Sequence, residues 1–131
     1  MQNTQWVTVA VPASTRIGYV AIYNRADEDI YRAWLSPYEV WLGSGVGDSN
    51  TVHMCGGRPQ TAPVSAGLGP FMVWCGARND LPFVTVLIRP GRDRYLAFGE
   101  LKIYIAEEPP SPPALPPAPP MAPTPKPPPS P

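Results

Sequence analysis

Apolar residues in this chain alternate with polar ones in short runs, and clusters of Gly, Pro, Ser, Asn and Asp separate the runs. Val7, Val9 and Val11 form one face of a first strand, about Trp6 to Val11, and Pro12-Ala-Ser-Thr turns the chain. A second strand, about Arg16 to Asn24, places Val20 and Ile22 on one face and Tyr19, Ala21 and Tyr23 on the other. A charged loop, about Arg25 to Pro37, returns as a third strand in which Tyr38, Val40 and Leu42 alternate with Glu39 and Trp41. The pattern predicts that this loop joins two neighbouring strands. Gly43-Ser-Gly-Val-Gly-Asp-Ser-Asn50 is loop. Residues 51–70 read as a polar, Gly/Pro-rich excursion with a short pairing around Thr51 to Met54. Phe71–Trp74, Val84–Ile88 and Glu100–Ile105 are the remaining strands, with a turn over Arg89–Arg94. No segment carries a sustained helical stripe. The expected class is all-β, and short strands at about ten-residue spacing predict a sandwich or jelly roll. In such a fold the ligand-binding loops gather at one end.

Composition divides the 131 residues in two. Residues 109–131 contain 14 prolines, so they form neither sheet nor helix and are expected to be an extended polyproline II rod without core contacts. Such a rod serves as a stalk or linker, and Pro125-Lys-Pro-Pro-Pro also fits a ligand for a Pro-rich-motif binder. Residues 1–108 make one domain, which at that size buries roughly 65% of its unfolded surface. Ten basic and ten acidic residues cancel, leaving no basic field to attract nucleic acid or an anionic membrane. No apolar run approaches the ~20 residues that span a bilayer, so no membrane insertion is expected. Met1-Gln-Asn-Thr-Gln is not a secretory leader. The chain opens almost directly into a strand and stops within a Pro-rich run, the pattern expected of a chain cut at both ends.

Candidate chemistry centres on the loop between the second and third strands. Arg25 and Arg32 stand seven positions apart with Asp27, Glu28 and Asp29 between them. Two guanidinium forks on one loop can donate paired hydrogen bonds to neighbouring oxygens, as adjacent sugar hydroxyls or carboxylates require. The bland alternative is a surface pair neutralised by the nearby carboxylates. Trp34 lies in the same loop and offers an aromatic face for a sugar, whereas Trp41 and Trp74 lie in strands and read as packing residues. His53 near Cys55 falls short of a metal site and reads as a core or surface histidine. There is no phosphate loop before a helix, no Ser/His/Asp set and no carboxylate pair with divided acid and base roles, so an enzyme is not expected. Cys55 and Cys75 are either two unpaired thiols or a disulfide, which would add on the order of 3 kcal/mol.

Asn24-Arg25, Asp27, Arg32, Leu35 and Tyr38-Glu39-Val40 resemble the F-type lectins (fucolectins), a branch of the discoidin-like, coagulation-factor-type domains. Val84-Thr-Val-Leu-Ile88 and Tyr95-Leu-Ala-Phe-Gly-Glu-Leu-Lys-Ile-Tyr104 look like the last two strands of such a domain, and the resemblance covers roughly residues 6–105. It implies a discoidin-like (galactose-binding-like) jelly-roll β-sandwich, incomplete at its N-terminal side. Arg25 and Arg32 would bind a fucose-type or related neutral sugar, with Asp27 holding one arginine in place and Trp34 at the rim. The resemblance also favours a Cys55–Cys75 bond and hence an oxidising, extracellular or cell-surface location. Glu100 matches a position that helps hold calcium in the family, and calcium would require the upstream Asp/Asn-rich loop.

Three departures stand beside the match. Glu28-Asp29 replaces the family's vicinal cysteines. The family's sugar-binding histidine falls at or before Met1, and Gly99 stands where a second disulfide would anchor. The resulting expectation is a non-enzymatic recognition or adhesion module for glycans or glycoproteins. The rivals are a structural or protein-interaction module of an extracellular Pro-rich glycoprotein with a degenerate sugar site, and an accessory domain of a carbohydrate-active enzyme.

Overall fold

The computed structural model describes residues 3–91 and 94–107. Seven strands form two antiparallel sheets: β1 (Gln5–Ala10), β2 (Ile17–Tyr23), β3 (Glu39–Gly43), β4 (Thr51–Met54), β5 (Phe71–Arg78), β6 (Phe83–Ile88) and β7 (Glu100–Ile105). One sheet has the order β1-β6-β3-β4 and the other β5-β2-β7. The expected all-β class is what the chain adopts, with strand positions close to those read from alternation. The sequence pattern did not announce a four-residue helix, α1 (Asp29–Arg32), or the 3-10 turn over Ala33–Leu35 that follows it. At that length neither has an apolar stripe to display. The Pro-rich residues 109–131 lie outside the described residues.

The inner faces interlock as the alternation requires. Val20 and Ile22 of β2 pack with Val73 of β5 against Val40 and Leu42 of β3 and Val84 and Val86 of β6, all essentially removed from solvent. Leu101 and Ile103 of β7 are partly buried against the same cluster. β6 is buried from Val84 to Ile88 on both faces, and the reason lies outside the core. The Gly43–Asn50 loop folds over its outer side, where Gly47 N–H donates to Thr8 Oγ1 at 3.1 Å and the Thr8 and Thr85 hydroxyls meet at 2.7 Å. Glu39, also on that face, is buried and bound by both Arg89 (2.9 and 3.1 Å) and Trp41 Nε1 (2.8 Å). Cys55 and Cys75 form a disulfide with Cα atoms 4.5 Å apart, tying the end of β4 to β5.

One sequence expectation needs correction. β2 and β3 are not neighbours: β2 is the centre of the three-stranded sheet and β3 lies in the four-stranded one. The segment between them is a crossover that spans the end of the sandwich. Alternation reveals which residues face inward, but both sheets bury an inner face, so it does not reveal which sheet a strand joins. The segments at residues 60–70 and 94–99 reach the same end, because Asn24 N–H donates to the Leu68 carbonyl and Gly99 N–H to the Tyr23 carbonyl, both at 2.8 Å.

Candidate functional site

The crossover begins at Asn24, only 3% exposed. Its side-chain oxygen accepts from Arg25 N–H (2.9 Å) and its amide donates to the Arg32 carbonyl (2.9 Å), so one short side chain closes the loop Arg25–Arg32 on itself. Asn is suited to this because its amide carries both a donor and an acceptor. Gly99 presses against the same spot, and a Cβ there would fall 2.8 Å from the Asn24 carbonyl oxygen. No side chain fits at that contact.

Arg25 turns its guanidinium onto Asp27 through two hydrogen bonds, Nε to Oδ1 at 2.7 Å and Nη2 to Oδ2. Those bonds hold the Asp27 carboxyl below its ordinary value, with a smaller through-space contribution from Arg32. The other side of the same guanidinium lies 4.9 Å from the centre of the Tyr31 ring.

Arg32 is placed differently. Its side chain is only 15% exposed, with Nη1 on Asp29 at 3.1 Å and Nη2 on the Val64 carbonyl at 3.3 Å. Among the described residues its Nε is buried without a hydrogen-bond partner. Arg25 and Arg32 therefore share one end of the sandwich, but Arg25 stands at the surface while Arg32 props α1 against residues 64–68.

From Arg25 a line of aromatic rings runs along the surface. Tyr31 meets Trp34 edge-on, with centroids 4.8 Å apart and planes at 67°. Trp34 meets Tyr95 in the same manner at 5.5 Å and 66°. Tyr95 is 61% exposed. The segment carrying it is fixed from two sides. Buried Arg94 donates Nη1 to the Trp34 carbonyl at 2.8 Å, while Gln5 donates to the Arg94 carbonyl (3.1 Å) and accepts from Leu96 N–H (2.7 Å). Tyr31 and Tyr95 were not singled out from sequence. Tyr31 is distinguished there only by its place between two arginines, and Tyr95 sits 61 positions after Trp34, beyond the reach of any local pattern.

The remaining expected positions lie elsewhere. Glu100, on β7, has its carboxylate 3.8 Å from Lys102 Nζ. Among the described residues no group of three or more His, Cys, Asp or Glu side chains could hold a metal ion. A lone carboxylate beside an ammonium does not fit calcium, which takes six to eight oxygens. His53 is half-buried on β4, opposite Leu42. No described helix is long and apolar enough to cross a membrane.

The chain matches no protein-family model, no curated protein and no solved structure.

Proposed function

We propose that this domain is a non-enzymatic carbohydrate-recognition module, and that a neutral sugar of the fucose type occupies the Arg25–Tyr31–Trp34–Tyr95 strip. The carrying observation is the continuity of that strip: a cation and three aromatic rings in unbroken contact at the loop end of a β-sandwich. Aromatic faces pack on the C–H surface of a pyranose, and rings set at 66–67° to each other form corners suited to a single sugar rather than a flat polysaccharide platform. Arg25, steadied by Asp27, offers Nη1 to ring hydroxyls, and the second oxygen lone pairs of Asp27 accept from them. Arg32 contributes by holding α1, and with it Tyr31, in place.

The discoidin-like jelly roll belongs to the same proposal. It is supported by the strand orders β1-β6-β3-β4 and β5-β2-β7, which follow an eight-stranded jelly roll that lacks its first strand beside β7. The Cys55–Cys75 bond is compatible with the extracellular location that such a module would have.

A glycan array read with monosaccharide competition tests the reading. The wild type should give a signal that free sugar abolishes, and Trp34→Ala or Tyr95→Ala should remove it while circular dichroism stays unchanged. A second reading has its own support: the Arg25 fork is closed by Asp27 and Arg32 is largely covered. In that case the domain is a structural or protein-interaction module of an extracellular Pro-rich glycoprotein. Absence of any sugar-competable signal from the wild type would overturn the sugar reading and leave that alternative in its place.

A further inference from the structure

The outer face of the sheet β5-β2-β7 carries an aromatic patch at one end. Tyr19 of β2 and Trp74 of β5 are opposite each other in the ladder, with ring centroids 4.9 Å apart and planes at 59°. On the other side of β2, Tyr104 of β7 opposes the register shift at Gly18 and Tyr19, and Met72 continues the face on β5. These four side chains are 44–48% exposed, while Val20, Val73 and Ile103 between them turn into the core. Towards the crossover the same face becomes charged, where Lys102 and Glu100 stand 3.8 Å apart. A strand added beside β7 would lie in the plane of the sheet and leave this face open.

The chain itself carries a ligand for such a patch. β7 runs away from the crossover, from Glu100 beside Tyr23 to Ile105 beside Ile17, so the Pro-rich stretch follows from the aromatic end. Ala106 N–H donates to the Arg16 carbonyl at 2.8 Å, and only Glu107 and Glu108 separate it from Pro109. Three extended residues reach about 10 Å, the width from β7 across β2 to β5.

Pro-rich segments dock on exposed aromatic rings because the polyproline II helix is already in its bound conformation and loses little entropy. In that helix every third residue shares an edge. One edge here is Pro110, Pro113, Pro116 and Pro119 without interruption, whereas the others include Leu115 and Ala118, or Ser111 and Ala114. Successive residues on an edge are about 9.3 Å apart, and β5 and β7, two strand spacings apart, are separated by about 9.6 Å. We propose that this proline edge lies across the strands on Tyr104, Tyr19 and Trp74 of the same chain. With so short a tether its effective concentration at that patch is on the order of millimolar, which favours its own sheet over that of a second copy. The core takes no part in the contact. Sugar binding does not enter either, since the Arg25–Tyr95 strip stands at the opposite end of β7.

Proton NMR on the full chain tests it. Nuclear Overhauser cross-peaks are expected between proline ring hydrogens and the rings of Tyr19, Trp74 and Tyr104, and they should persist on dilution. Trp74→Ala should abolish those to Tyr19 and Tyr104 with an unchanged circular dichroism spectrum. Pro110→Ser, Pro113→Ser, Pro116→Ser and Pro119→Ser together should abolish all of them and shift the Trp74 indole N–H resonance. A wild type without these cross-peaks overturns the proposal, as do cross-peaks to Trp34 and Tyr95 in their place. Cross-peaks that fade on dilution overturn it too, because they put the stretch on a second copy, and so do cross-peaks that survive the four serines. If Trp74→Ala fails to fold, the serine variant decides, because its substitutions lie outside the seven strands.

Discussion

Asn24 does more for the candidate site than either arginine beside it. Its amide satisfies Arg25 N–H and the Arg32 carbonyl from inside the end of the sandwich, where no water replaces a lost partner. Leaving a buried donor and acceptor unpaired costs about 1–3 kcal/mol. Asn24→Ala should therefore lower the unfolding free energy by about that amount in a urea titration, and blunt any sugar signal as the loop loosens. The two arginines should differ. On the proposed sugar reading, Arg25→Ala should leave the fold intact and lower sugar affinity about tenfold or more, the worth of one charge-assisted hydrogen bond. Arg32→Ala, removing a largely covered side chain, should lower the melting temperature as well. Equal thermal stability for the two variants would contradict this division. The spacing of Arg25 and Arg32 is plain in the sequence, and so is their acidic surrounding. Which arginine reaches solvent was not legible, because that depends on Val64, whose carbonyl arrives from 32 residues away.

At the level of elements, the first residue of β3, Glu39, and the residue before it, Tyr38, respond to opposite ends of the pH scale. Burial pushes Glu39 up, yet the hydrogen bonds from Arg89 and Trp41 and the charge of Arg89 outweigh it and leave the carboxyl below its ordinary 4.5. A carboxyl depressed in the folded state contributes stability above pH 4.5 and loses it as pH falls through the lowered value. Glu39→Gln should accordingly flatten the fall of melting temperature with acidification below that pH. Tyr38, 2% exposed, is pushed up to about 12 by burial. Its contribution is complete below the ordinary 10.0 and disappears as pH rises through about 12, so ultraviolet titration should show one phenol ionising late, with unfolding. The strands themselves were readable because period-two alternation is local. The burial of Thr85 and Leu87 on the outward side of β6 was not, since it depends on the Gly43–Asn50 loop lying across that face.

For the whole molecule, the Cys55–Cys75 bond secures residues 55–57, which lack strand partners, to the edge of β5. Cys55→Ser with Cys75→Ser should cost on the order of 3 kcal/mol of stability, seen as a lower denaturant midpoint that reductant reproduces in the wild type. An unchanged midpoint would mean the native packing already holds that segment.

The two sheets also fix the tempo of self-assembly. Gln5 is registered with Ile88 and Ile17 with Ile105, so the β1–β6 and β2–β7 ladders close over more than eighty residues of chain. Loop-closure entropy must be met before such pairings return anything, and topologies of this kind reach the native state in milliseconds to seconds rather than microseconds. The disulfide lies inside both intervals but spans only 20 positions, so it shortens each closure by a small part and changes a logarithmic closure cost little. Stopped-flow refolding with the bond intact should therefore stay in that slow range. During that interval the apolar strands β2 and β6 wait unpaired, which makes dilute refolding conditions and early protection of those two strands the determinants of yield.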